Sequence, residues 1–153
     1  VGAGDAKYEE AMRRAADTHP YVAVRIGYDE ALSHRVIAGG DAILVPSRFE
    51  PCGLTQLYGL RYGTIPLVAR TGGLADTVID ANPAALRAGV ATGVQSPPVT
   101  EAALADARNR LCDLFAEPAV WTALQRNAMK QPVGWATAAA EYAALYRDLE
   151  QTT

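Results

Sequence analysis

Cysteine is scarce in this chain. Its 153 residues hold only Cys52 and Cys112, too few for a disulfide framework and without the paired spacing of a zinc site. A reducing cytoplasm is therefore the expected compartment. An excess of one charge is lacking too: fourteen Lys and Arg stand against seventeen Asp and Glu, a formal net charge of −3. No basic run occurs, so the electrostatic footprint of a nucleic-acid-binding protein is missing. No apolar run approaches the ~20 residues that a bilayer-spanning helix needs, and no membrane partner is expected. His19 and His34 have no second ligand at metal spacing, and no Asp-X-Asp motif is present. Neither a metal nor a cofactor is expected. What remains is half apolar and one-fifth charged, the make-up of a single globular domain.

The order of elements follows from periodicity and punctuation. The opening Val1-Gly2-Ala3-Gly4-Asp5 reads as the last residues of a strand and its turn, which predicts that an earlier part of the fold is absent. Asp5 suits an N-cap, Tyr8, Met12 and Ala15 recur at helical spacing, and His19-Pro20 ends that helix. Glu9–Arg13 and Glu10–Arg14 are placed to pair across one turn. The β-branched run 21–26 predicts a strand. Asp29 caps a short helix marked by Leu32 and Val36, which stops at Gly39-Gly40. Strands are predicted at 42–45 and 65–69, with a helix between them that places Leu54, Leu57, Tyr58 and the Arg61 stem on its inner stripe and closes at Gly63. A brief helix at 74–79, a mobile loop through Asn82-Pro83 and a weak strand at 91–95 follow. Thr100 caps a helix with Leu104, Ala107, Leu111 and Leu114 inward. Pro118 opens another, with Trp121, Leu124 and Ala128 inward. The last helix, 135–150, aligns Trp135, Ala139, Tyr142, Tyr146 and Leu149. Strands alternate with helices and are apolar throughout, which predicts an α/β sandwich with a mainly parallel sheet.

The stretch DAILVPSRFEPCGLTQLYGLRYGTIPLVARTGGLADTVID, residues 41–80, gathers the chemistry. A buried strand stops at Pro46, a polar loop carries Ser47, Arg48 and Glu50, and Cys52-Gly53-Leu54-Thr55 leads into a helix. Thr71-Gly72-Gly73 follows the next strand. A carboxylate and unpaired N–H groups thus meet beside a helix N-terminus, at the carboxyl end of a parallel sheet. Such a place suits a sugar attached to a diphosphate. Gly53 allows close backbone approach, Thr55 adds a hydroxyl, and Cys52 is a small packing residue with no nearby base to make it a nucleophile. Arg48 is placed either to reach a phosphate or to hold Glu50 or a loop carbonyl. Thr71-Gly72-Gly73 is either a second donor-rich turn or tight geometry.

The segment PSRFEPCGLTQLYGLRYGTIPLVARTGGLADTV closely resembles the bacterial glycogen synthases and plant starch synthases. The likeness extends to GYDEALSHRVIAGGDAILVPSRFEP before it and to ATGVQ, the Trp121 helix and WATAAAEYAALY after it. The resemblance implies a Rossmann-like three-layer sandwich, the C-terminal nucleotide-sugar domain of a two-domain glycosyltransferase of the GT-B type. Its first βα unit and its N-terminal acceptor domain would be absent from this chain. It implies transfer of glucose from ADP-glucose to the non-reducing end of an α-1,4-glucan, with retention and release of ADP. ADP-glucose or ADP and the glucan acceptor are the partners, and the nucleotide sugar is a substrate, not a cofactor. On that pattern Glu50 contacts the donor glucose and stabilises positive charge at the anomeric carbon. Tyr28 corresponds to the aromatic near the adenine. The position of a second glutamate in related transferases is Tyr58, so no paired-carboxylate relay is expected. The Arg and Lys that neutralise the diphosphate belong to the absent βα unit, and this chain alone is expected to be inactive. The final helix returns to the acceptor domain in the family. In this chain its rings are expected to pack locally or to mediate self-association. Two other functions fit the same architecture: a sugar-nucleotide epimerase, and a non-catalytic carbohydrate- or nucleotide-binding module.

Overall fold

A computed structural model describes residues 2–151, and the chain divides after Gly39 into two compact units. The first unit holds α1 (Ala6–Thr18) and α2 (Glu30–Gly39). Asp5 occupies the N-cap of α1 without a side-chain bond, and the Glu9 carboxylate instead reaches back to the Gly4 N–H at 3.1 Å. The expected pairs across one helical turn form, Arg13–Glu9 at 3.3 Å and Arg14–Glu10 at 3.1 Å. Both are exposed, so each contributes only a few tenths of a kcal/mol, ~0.3–0.5. Asp29 caps as expected, its Oδ1 accepting the Leu32 N–H at 2.9 Å.

Residues 21–26 do not form the expected strand. Only Ile26 makes a β-bridge, to Gly2, through Gly2 N–H to Arg25 O at 3.2 Å and Gly27 N–H to Gly2 O at 2.9 Å. Strand propensity is a preference for a pleated surface, and a ladder requires a partner several residues long. Among the described residues this run finds a single rung.

The second unit contains β1 (Ala42–Val45), α3 (Thr55–Tyr62), β2 (Ile65–Ala69), α4 (Gly72–Thr77), α5 (Pro83–Ala88), β3 (Val94–Ser96), α6 (Glu101–Phe115), α7 (Pro118–Met129) and α8 (Trp135–Gln151). The strands form a three-stranded parallel sheet in the order β1-β2-β3. Ala42 stands opposite Ile65, Val45 opposite Val68, and Ala69 opposite Ser96, so the three strands end along one edge. Every residue of β2 is buried. Successive side chains of a strand point to opposite faces. Ile65 and Leu67 accordingly join a core with Leu60, Val94, Leu111, Trp121 and Leu124, while Val68 packs with Val45, Leu74 and Val78. Helices thus cover both faces, the expected Rossmann-like α/β arrangement. Each fully buried Leu or Ile contributes about 1.5–3 kcal/mol.

Four expectations about local structure need correction. The fully buried residues of α3 are Gln56, Gly59 and Leu60; Leu57 packs against the same core as expected and Tyr58 is half-buried, but Leu54 and Arg61 are exposed. Leu54 lies outside the helix as its N-cap, and the helix rests on the sheet through its smallest residue. A Cβ on Gly59 would lie 2.9 Å from the Thr64 carbonyl oxygen and 3.1 Å from Ile43 Cγ2. The loop at Asn82-Pro83 is the start of α5, whose cap is Asn82 Oδ1, accepting from Ala84 and Ala85 N–H at 3.0 Å each. The last strand is Val94–Ser96 and not 91–95. Residues ahead of it bond to 79–81 instead, with the Ile79 N–H donating to Thr92 Oγ1 at 2.9 Å and the Ala81 N–H to Gly93 O at 2.8 Å. The helix expected at 74–79 spans Gly72–Thr77, because the Leu74 N–H already closes a turn onto Thr71 O.

The remaining helices match the periodicity. Thr100 Oγ1 caps α6 through the Ala103 N–H, and Ala107 and Leu111 are buried, with Leu104 and Leu114 packed against them. Pro118 occupies the first turn of α7, which buries Trp121, Leu124 and Ala128. Along α8 only Ala138 is half-buried among residues 135–150. The rings of Trp135, Tyr142 and Tyr146 are exposed, so local packing does not cover them.

Candidate functional site

The carboxyl ends of β1 and β2 lead into two turns that touch. The first, after Pro46, carries Ser47, Arg48 and Glu50 and runs through Pro51-Cys52-Gly53 to α3. The second is Thr71-Gly72-Gly73 at the start of α4. The Gly73 N–H is shared between the carbonyls of Glu50 at 3.2 Å and Pro51 at 3.3 Å. A Cβ on Gly72 would collide with the Glu50 carbonyl oxygen, and one on Gly73 with the Cys52 carbonyl. Main chain therefore lies against main chain here, and glycine is required on both counts.

Glu50 is half-buried, and the hydroxyl of Ser47 donates to its Oε2 at 3.3 Å. That hydrogen bond orients the carboxylate. Arg48 does not perform this task. It is exposed, makes no ion pair among the described residues, and lines a separate cavity of about 230 Å³ with Pro46, Ala69, Ser96 and Thr100.

The start of α3 is bare. Leu54 is an N-cap without a side-chain bond and is exposed, Thr55 is the first helical residue, and Cys52 is a free, exposed thiol. No described group accepts from the N–H of Gly53, Leu54 or Thr55. Unpaired N–H groups at a helix start carry partial positive charge and attract anions. Gly53 adopts a φ of +74°, the left-handed region that glycine enters without strain. Glu50, Ser47 and the Gly53–Thr55 amides are thus gathered within one short loop.

The Thr71-Gly72-Gly73 turn contributes differently from a second amide cradle. The Gly73 N–H is consumed by the Glu50 and Pro51 carbonyls, and the Thr71 side chain makes no cap bond. Tyr28 lies in the first unit, exposed, with its hydroxyl donating to Glu30 Oε2 at 3.4 Å. Tyr58, where related transferases carry a second glutamate, is half-buried in α3.

Two residues that periodicity alone passes over complete the arrangement. Gln56 is fully buried, and its Nε2 donates to the carbonyls of Cys52 and Gly53, each at 3.0 Å, and to Thr77 Oγ1 at 3.2 Å. Thr77 Oγ1 in turn donates to Gly73 O at 2.6 Å. The available signal was a polar side chain three and four residues before Gly59 and Leu60, on the face that a helix turns to its core.

No protein-family profile matches the chain. It is 66% identical over 147 residues to the glycogen synthase of Jannaschia sp. (strain CCS1), covering 96% of this chain and 31% of that protein. Against the glycogen synthase of Cereibacter sphaeroides (strain ATCC 17023) it is 64% identical over 150 residues, covering 97% and 31%. The fold superposes on the catalytic domain of starch synthase IV from Arabidopsis thaliana, solved with ADP and acarbose, with a TM-score of 0.80 and 30% identity. That match covers 97% of this chain and 31% of the other. The chain therefore spans about a third of the length of the curated relatives it matches. Over that third it is homologous to the glycogen synthases.

Proposed function

We propose that this chain, a homologue of part of the glycogen synthases, supplies the nucleotide-sugar site of a retaining glucosyltransferase that moves glucose from ADP-glucose to the non-reducing end of an α-1,4-glucan. The observation that carries the reading is the pairing of a held carboxylate, Glu50 on Ser47, with the unoccupied amides of Gly53, Leu54 and Thr55 at the start of α3. The amides bind the diphosphate, and Thr55 adds a hydroxyl. Glu50 lies beside the glucose and stabilises the positive charge that builds at the anomeric carbon as the diphosphate leaves. Cys52 supplies main chain and no nucleophile. In this reading Arg48 flanks the mouth, and Thr71, Gly72 and Gly73 form its second wall. No metal takes part, and charge on the leaving diphosphate is met by backbone dipoles and by cationic groups outside this chain.

The acceptor site belongs to the part of the relatives that this chain does not span, so the chain by itself makes no glucan. The working compartment is the cytoplasm. The exposed rings of α8 make the isolated chain self-associate.

The reading is tested by replacing the matching third of the Jannaschia glycogen synthase with this chain. Transfer of labelled glucose from ADP-glucose to glycogen is expected, with Glu50→Ala abolishing most turnover. A folded chimaera that transfers nothing, or that turns over equally well with Glu50→Ala, refutes it. An epimerase would instead prefer UDP over ADP and interconvert sugars without an acceptor.

A further inference from the structure

Gln56 and Thr77 are polar, buried or half-buried, and without any place in the proposed chemistry. Between them they close a ring of hydrogen bonds. Gln56 Nε2 holds the Cys52 and Gly53 carbonyls and Thr77 Oγ1, Thr77 Oγ1 holds the Gly73 carbonyl, and the Gly73 N–H returns to the Glu50 carbonyl. The hydrogen count fixes the directions. The two amide hydrogens of Gln56 serve three acceptors, so one is shared, and the single hydroxyl hydrogen of Thr77 goes to Gly73. The reverse orientation of the Gln56 amide would press its oxygen against two carbonyls. Gln56 Oε1 is the end left without a partner, beside Gly53, where a Cβ would lie 2.5 Å from it.

In a trans peptide the carbonyl of one residue and the N–H of the next point in opposite directions. A Cys52 carbonyl drawn toward Gln56 turns the Gly53 N–H away from it, and a Gly53 carbonyl drawn the same way turns out the Leu54 N–H. These are two of the amides that no protein group accepts from. We infer that the Gln56–Thr77 pair is the positioning device of the anion site: it aims the Gly53 and Leu54 amides at the ligand and fixes the Thr71–Gly73 turn against them. The inference rests on the reading of this lip as the diphosphate site. Neither residue touches the ligand, and each acts through the backbone it holds.

The test is a titration of the full chain with ADP, followed by the ¹H–¹⁵N signals of Gly53, Leu54 and Thr55, with the melting temperature of every variant measured alongside. Gln56→Leu and Thr77→Val are expected to weaken ADP binding roughly tenfold, the equivalent of one hydrogen bond to a charged group. They should also shift the Gly53 and Leu54 amide signals before any ADP is added. Thr77→Ser, which keeps the hydroxyl, should restore affinity to within about twofold. Thr77→Val matches the native side chain in shape and keeps the test open if Gln56→Leu fails to fold. If both variants melt earlier but bind ADP as tightly as the parent, the pair is merely structural and the inference fails while the diphosphate reading stands. If the parent chain shows no ADP-dependent change at Gly53–Thr55, the site reading falls and takes the inference with it.

Discussion

The N–H of Gly73 donates to the carbonyl of Glu50 at 3.2 Å, so the turn after β2 is bound to the backbone of the residue assigned to the sugar. The two turns form one unit, and a change in either is felt in both.

Gly73→Ala is expected to destabilise the chain by about 1–3 kcal/mol, the usual range for forcing a methyl into a filled space. Its Cβ has nowhere to go but the Cys52 carbonyl, which is main chain and cannot swing aside. Gly72→Ala adds the strain of a φ of +43°. Thermal melts of both variants check this, and an unchanged melting temperature for Gly73→Ala would contradict the packing described.

Glu50→Gln should leave stability nearly unchanged, because its side chain is half-buried and held only by the Ser47 hydroxyl. In the chimaeric enzyme the same substitution should lower kcat by roughly 100-fold or more, the scale of losing one charge-stabilising group. Ser47→Ala leaves the charge but loosens it, and a smaller loss of about tenfold is expected from the missing charged hydrogen bond. Steady-state kinetics on both variants separate the effects.

Asn82→Ala removes the cap of α5 and should cost about 1 kcal/mol, with the loss confined to that short helix. Hydrogen exchange at Ala84 and Ala85 is the direct readout, since those are the amides that Asn82 accepts from.

Asp80 accepts the Gln95 N–H at 2.8 Å and Arg110 Nη2 at 2.9 and 3.1 Å, fastening the start of β3 to α6. Asp80→Ala strands the Gln95 N–H, and a loss of about 1–3 kcal/mol is expected. Arg110→Ala should cost less, because its side chain is two-fifths exposed and water replaces the partner. Denaturant unfolding of the two variants should rank them in that order.

Light scattering of the isolated chain should show self-association that Tyr142→Ser with Tyr146→Ser reduces. Tyr142 and Tyr146 are 56% and 62% exposed, their ring centroids lie 6.4 Å apart with the planes tilted by 33°, and Trp135 is 80% exposed. A monomer at high concentration would argue against this role for α8.

Much of this architecture is legible in the sequence, and the exceptions have physical reasons. β2 reads clearly because a strand buried on both faces is an unbroken apolar run, and β1 carries the same kind of run although it is an edge strand of the described sheet with Leu44 exposed. Asp29, Thr100 and Pro118 read clearly because capping is local chemistry. Residues 21–26 misled because their composition suits a strand while the ladder depends on a partner that composition does not encode. The stripe of α3 was legible only in part, because hydrophobic periodicity finds Leu57 but ranks the exposed Leu54 above the buried Gln56 and Gly59. Size and hydrogen bonding, together with the apolar Leu57 and Leu60, decide which side of that helix lies inward. At the lip, Glu50 and Gly53 were identifiable from their motif. The division of labour among the glycines was not, since only coordinates show that the Gly73 amide is spent within the protein while that of Gly53 is not.

Gly59 sets the seating height of the whole lip. Through its bare Cα, α3 settles directly onto Ile43 and Thr64, and about one turn earlier the start of that two-turn rod presents the Gly53–Thr55 amides. An added methyl would act as a shim under the base, tilting the mouth out of alignment with Glu50 while leaving every residue there chemically intact. Faulty catalysis in such a variant would trace back to a spacer that never meets the sugar.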